Sequence, residues 1–264
     1  MPRIRLTVEY DGTNYSGWQR QENAISVQQR LEEALFRLLR AETRVTGASR
    51  TDAGVHALGQ VVHFDTSSRI PPEKYAFALN TMLPDDIRVR ASMAAADDFH
   101  ARFHAKGKIY RYMMLSSPHA SALRRNSHAH VIYPLDAALM DREAQRVVGT
   151  HDFKAFAASG SVAKDTVRTI YACRVARSGD EVTLLVHGSG FLYNMVRILA
   201  GTLIQVGASK LGPGAIERAL EGKSRLSLGI TAPPHGLTLM RVFYEDDADE
   251  AQDYFSGLFD RFSR

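Results

Sequence analysis

At 264 residues, with 45% apolar and 23% charged side chains, the chain is long enough for two hydrophobic cores and too apolar for disorder to be its default. Its single cysteine, Cys173, excludes an internal disulfide or a thiolate metal cluster and agrees with a reducing compartment. The net charge of +4 hides an asymmetry: six acids crowd between Glu245 and Asp253, and without them 33 cations face 23 acids, a net of +10.

The chain opens on RIRLTVEY, where Ile4, Leu6, Val8 and Tyr10 alternate with polar residues as in a half-buried strand. That alternation stands where a signal peptide would need an apolar core. Arg197 interrupts the longest apolar run short of membrane-spanning length, so a cytoplasmic protein without membrane attachment is expected. After a glycine-rich loop, SVQQRLEEALFRLLR sets Val27, Leu31, Ala34, Leu35 and Leu38 at helical spacing, with Ser26 and Gln29 placed for a capping box. A loop, GASRTDAGVH, then carries Asp52 between Arg50 and Gly54. It leads to a strand near GQVVHFD, a proline-started helix near PPEKYAFALNTM and a strand near DIRVRAS.

A comparable order recurs. KGKIYRYMML reads as a strand, LDAALMDREAQRVVG as a helix ended by Gly149, and VRTIYACRVAR-SGD-EVTLLVHG as a hairpin. The helix FLYNMVRILAGTLIQVG and a last strand, LMRVFYE, complete it. The reading is an α+β chain of two similar halves, 1–105 and 106–264, without a short-period repeat.

From Phe99 to Leu135 there is no acid, while Arg102, Lys106, Lys108, Arg111, Arg124 and Arg125 stand beside five of the ten histidines. Such a window suits a polyanion, although a solvated basic face has the same composition. Arg20, Arg50 and Arg168 join Arg102, Lys106 and Lys108 as candidate phosphate contacts that position RNA without reading its bases.

Taken alone, Asp52 reads first as a turn residue capping its own backbone, while the flanking glycines also permit a carboxylate presented into a cleft. Tyr110 lies among alternating aromatics that ordinarily pack a core, yet a phenol also offers a stacking surface and an exchangeable proton. Arg197 sits in an apolar helix within an acid-free span from Val182 to Ile216. Its stem can lie along apolar surface, or its head can pair with a carboxylate from elsewhere in the chain. Two other classes compete with RNA-modifying chemistry. A metal-dependent nuclease would recruit Asp52, His56 and His63, although these lack a compact ligand pattern. A noncatalytic RNA chaperone would use only the basic face.

GASRTDAGVHALGQVVHF resembles the signature of the tRNA pseudouridine synthase A family, and other segments agree in order and spacing. YDGTNYSGWQRQ followed by SVQ is similar to that family's amino-terminal segment, DFHARFHAKGKIYRY to its central one and GSGFLYNMVRILAGTLIQVG to its late helix. The RRNSHAH stretch and the acidic tail look individual rather than familial. The resemblance implies two halves, each an antiparallel sheet with helices, whose sheets adjoin around a basic cleft. It implies an isomerase that converts uridine to pseudouridine in the anticodon stem-loop of tRNA, at tRNA positions 38, 39 and 40, consuming neither metal nor cofactor. It further implies a homodimer, with Asp52 as nucleophile, Tyr110 packing against the target base and Arg197 pairing with the aspartate.

Overall fold

The computed structural model describes residues 1–158, 160 and 164–263. In chain order its elements are β1 (Arg3–Tyr10), α1 (Val27–Leu39), β2 (Thr46–Gly47), β3 (His56–Asp65), α2 (Tyr75–Asn80) and β4 (Ile87–Ala95). There follow β5 (Gly107–Ser116), β6 (Ala129–Val131), α3 (Ala137–Ala144), β7 (Gly149–Asp152), β8 (Val167–Ser178) and β9 (Glu181–Gly188). The last are α4 (Met195–Gly207), α5 (Ala215–Gly222), β10 (Leu237–Phe243) and α6 (Ala251–Phe262). Contacts divide the chain into one unit of Met1–Lys106 with Thr238–Asp246 and another of Gly107–Leu237 with Asp247–Arg264.

In the first unit, β1 runs antiparallel between β3 and β4, and the short β2 pairs with β3. Ile4, Leu6, Val8 and Tyr10 are buried, as the alternation predicts. The helix α1 buries Val27, Leu31, Ala34 and Leu35, and each fully buried valine or leucine side chain contributes about 1.5–3 kcal/mol. This apolar face, more than intrinsic propensity, holds a thirteen-residue helix in place. Ser26 Oγ accepts from the Gln29 amide at 3.2 Å, the first half of the expected capping box. The return bond is replaced, because the Gln29 side chain donates to Glu33 one turn on.

In the second unit, β5, β9, β8 and β7 form an antiparallel meander, and β6 pairs in parallel with the end of β5. The expected hairpin is β8–β9. The apolar helix α4 is buried on nearly every side. Buried Glu143, on α3, accepts from the Gly214 and Ile216 amides at 3.0 and 2.9 Å, placing a carboxylate on the unsatisfied N–H groups that open α5.

Three expectations change. The last strand, expected in the second half, is β10 and runs parallel to the start of β3 in the first unit, so a single cut between 105 and 106 does not describe the contacts. The helix expected to reach Gly149 ends at Ala144 and tightens into a 3₁₀ turn over Gln145–Val147, before Gly149 starts β7. From the end of the acidic stretch runs an unforeseen helix, α6, which buries Ala251, Phe255 and Leu258 and brings Phe259 to 4.4 Å from the Arg174 guanidinium. Among the described residues, no helix is long and apolar enough to cross a membrane.

Two buried histidines tie the fold to pH. His63, on β3, accepts from the Ala101 amide at 3.1 Å through Nδ1. Burial, with the Arg3 charge nearby, pushes its pKa down to about 4, and burial puts His187 on β9 at about 4 as well. Both are neutral in the fold, whereas an unfolded histidine titrates near 6.5. Their contribution is therefore complete above that value and is lost as pH falls from about 6.5 toward 4. Each should remove about 1 kcal/mol of unfolding free energy per pH unit in mid-window. Equilibrium denaturation across this window checks the slope. His63→Asn, whose Oδ1 still accepts the Ala101 amide, should lose about half of the dependence assigned to the pair; a variant with the wild-type slope would remove His63 from the account.

Candidate active site

Asp52 is half-buried in the turn that joins β2 to β3. The Val55 amide donates to the Asp52 carbonyl at 3.1 Å, and Gly54 supplies the positive φ of +77° that the turn requires. On one side the turn is held by Tyr15–Trp18: the Trp18 amide donates to the Thr51 carbonyl at 3.0 Å, and Gly54 donates to the Tyr15 carbonyl at 3.2 Å. The approach demands Gly17, with φ +87°, because a Cβ there would lie 2.5 Å from the Thr51 carbonyl oxygen. Below, the Tyr10 hydroxyl meets Thr51 Oγ1 at 2.7 Å in a buried contact. Fully buried Gln60, on β3, binds both backbone groups of Ser49, accepting at 3.1 Å and donating at 2.6 Å. The result is a carboxylate on a backbone with little freedom to move.

The cationic candidates of the first unit differ in what already holds them. Arg50, two residues before Asp52, is exposed, as is Arg102. Arg20 reaches Glu32 at 3.0 Å. Glu32 is buried and also holds Arg44, the Gln28 side chain and the Val45 amide, so Arg20 belongs to a structural network. Lys106 pairs with Glu245 at 2.6 Å.

The second unit carries Tyr110, Arg197, Lys108 and Arg168. Tyr110 lies on β5 opposite Val186 of β9, 7% exposed, with its ring edge-on to Phe191 at 5.2 Å. It is thus packed as the core reading has it. Arg197 sits in the first turn of α4. Its Nε donates to the Ala232 carbonyl at 2.8 Å and a terminal nitrogen to Asn194 Oδ1 at 2.7 Å, which fix the direction of the guanidinium. It does not float in solvent on a flexible stem. Lys108 is half-buried on β5 opposite Gly188. Arg168, on β8, donates to its neighbour's carbonyl at 2.5 Å.

The histidines that a nuclease would need serve the backbone. His56 Nδ1 receives the Gly12 amide at 3.0 Å, and His63 Nδ1 receives Ala101. Their lone pairs hold loops in register.

Sequence reasoning singles out Asp52 but misses Gly17, Thr51, Trp18 and Gln60, which aim it. A signal is available in YDGTNYSGWQ, where two glycines punctuate an aromatic-rich loop that must approach another backbone. Asn194 is likewise legible as a candidate N-cap before MVRI; it occupies that position with φ +61° but spends its side chain on Arg197.

A family model described as tRNA pseudouridine synthase matches residues 6–104 and 144–245, leaving out the RRNSHAH stretch and α6. The tRNA pseudouridine synthase A of Ruminiclostridium cellulolyticum is 50% identical over 245 residues, covering 92% of this chain and 100% of its own. That of Acetivibrio thermocellus is 49% identical over 244 residues, covering 92% and 100%, and that of an Exiguobacterium species 47% over 245, covering 93% and 99%. Among solved structures, an H/ACA RNP bound to a substrate RNA containing 2′-deoxyuridine aligns over 91% of this chain and 49% of its own. At 13% identity and a TM-score of 0.40, that likeness has no bearing on function. With the family model spanning both units and relatives near half identity along almost the whole length, the chain belongs to the tRNA pseudouridine synthase family, isomerases that convert uridine to pseudouridine.

Proposed function

We propose that this isomerase acts in the cytoplasm, as a homodimer, on uridines 38, 39 and 40 in the anticodon stem-loop of tRNA, with Asp52 as nucleophile. The observation that carries the assignment is the doubly clamped Asp52 turn: Gly17, Thr51 and Gln60 immobilise the backbone beneath one carboxylate inside the family-matched stretch. Rigid presentation of a nucleophile lowers the entropic part of a barrier.

The chemistry assigns the remaining roles. The C1′–N1 glycosidic bond breaks, the uracil turns, and a C1′–C5 bond forms. C5 then gives up its proton and N1 gains one, so atoms balance without a co-substrate. Attack by Asp52 on uracil C6 and attack on ribose C1′ both require the ionised carboxylate. Arg197 is the cation that keeps it so, its head oriented by Asn194 and Ala232. Tyr110 packs against the base and relays the C5 proton, its hydroxyl releasing one proton as it takes up the other. Arg50 and Arg102 bind phosphate directly, joined by Lys108 and Arg168; Arg20 and Lys106 share their charge with Glu32 and Glu245 and contribute less.

The decisive assay incubates purified protein with unmodified tRNA transcript and maps pseudouridine by nucleoside chromatography and sequence-resolved probing. Asp52→Asn should fold and bind tRNA but form no detectable product in a single turnover, because the amide keeps the shape and loses the attacking oxyanion. Near-normal product from that variant, with deamidation excluded, overturns the assignment. Tyr110→Phe retains the ring and loses the hydroxyl, so the chemical step should slow by about 10²–10⁴-fold with tRNA affinity largely kept; an unslowed rate makes the tyrosine a packing surface alone. Gly17→Ala tests the clamp. It puts a Cβ against Thr51 at positive φ, a conformation that costs about 1–2 kcal/mol before the clash. Single-turnover rate should fall more than tRNA affinity does, with a lower thermal midpoint; an unchanged rate would show that the turn does not need this approach.

A further inference from the structure

Phe103 lies in DFHARFHAKGK and is 74% exposed, a large aromatic whose neighbours from His100 to Ala105 are polar or small. The turn is anchored. The Arg102 and Phe103 amides both donate to His100 Nδ1 at 3.2 Å, and the His104 amide donates to the His100 carbonyl at 3.0 Å. Ala101, between them, is held from two sides, by His63 Nδ1 on its amide and by the Tyr244 hydroxyl on its carbonyl at 2.7 Å. The His100 ring stacks on Phe103 at 4.3 Å with 28° between planes, and the Arg102 guanidinium stands 5.8 Å from the Phe103 centroid.

We infer that this turn presents Phe103 as a stacking platform for an unpaired base of the bound tRNA. A ring fixed on an anchored backbone loses little entropy when a flat partner settles on it. The neighbouring cleft, about 530 Å³ and lined in part by Arg5, Phe99, Phe103, His104 and Tyr244, defines the partner further. Its two cations are already matched within the unit, Lys106 by Glu245 at 2.6 Å and Arg5 by Asp246 at 3.4 Å. A charge-balanced cleft with aromatic walls favours a neutral, planar group over a phosphate, while exposed Arg102 beside it suits the backbone of the same nucleotide. The platform rests on the reading that the protein binds tRNA, and adds to it a contact with a base other than the one that reacts.

The test uses a tRNA stem-loop carrying 2-aminopurine at single loop positions, together with intact tRNA. Wild-type protein and Phe103→Tyr should quench the fluorophore at one position on binding, and Phe103→Ala should not. Phe103→Ala should also raise the tRNA Kd by about tenfold or more, as expected for a lost stacked base, with thermal unfolding unchanged because the ring is exposed. Equal affinity and equal quenching for Phe103→Ala overturn the platform. So does unchanged tRNA affinity accompanied by weaker self-association in sedimentation, which would make the ring a contact between copies of the chain. The outcomes separate from the proposed activity: quenching without any pseudouridine sinks the catalytic reading and leaves the platform standing, whereas pseudouridine formation without Phe103-dependent binding does the reverse.

Discussion

Backbone packed on backbone, at Gly17 against Thr51, is the constraint on which the geometry of the Asp52 turn depends. No side chain separates the Tyr15–Trp18 segment from the Asp52 turn, so two amide-to-carbonyl bonds form across the gap. The turn's other flank is locked by Gln60, a buried amide whose donor and acceptor are both consumed by Ser49. Buried polar groups are costly unless paired, and here the pairing converts that cost into position. The same logic accounts for a motif of glycines, Tyr10 and Trp18 far from Asp52 in sequence: these residues are the other half of the turn.

Arg197 is aimed by a comparable device. An arginine in an apolar helix has many ways to reach water, and lost rotamer freedom opposes holding it in one. The Ala232 carbonyl and the Asn194 side chain take two donors of the guanidinium and leave its fork in a single direction. Asn194 accepts a left-handed backbone for this, a conformation that asparagine tolerates better than most residues.

How much of this is legible in the sequence follows from the range of each interaction. Local periodicity predicts β1, α1, the β8–β9 hairpin and α4, because alternation or helical spacing is written within a few residues. The parallel pairing of β10 with β3 joins residues about 180 positions apart and leaves no local trace, so local pattern does not reveal it. The LDAALMDREAQRVVG helix reads too long because helical spacing says nothing about where the backbone turns to enter β7. Of the candidate residues, Asp52, Tyr110 and Arg197 come from motif resemblance, while residue chemistry alone keeps a structural reading open for each. Gly17, Gln60 and Asn194 escape notice because their value lies in partners distant in the chain or in a side chain's direction.

Charge shows the same limit in the other direction. The acid-free window from Phe99 to Leu135 looks like an unopposed basic surface, yet Glu245 lies against Lys106, Glu181 holds Arg124 at 2.5 Å, and Arg111 is half-buried beneath Phe262 of α6. The acids that make the tail conspicuous are therefore partly paired at the surface, where Glu245 and Asp246 face Lys106 and Arg5. The basic surface left for a polyanion is therefore narrower than composition suggests, and exposed Arg50 and Arg102 belong to it. Each of these adjoins a side chain of different chemistry, since Arg50 stands two residues from the Asp52 carboxylate and Arg102 next to the exposed ring of Phe103. A phosphate backbone held at both points would be limited in which nucleotides it could bring to the carboxylate and the ring.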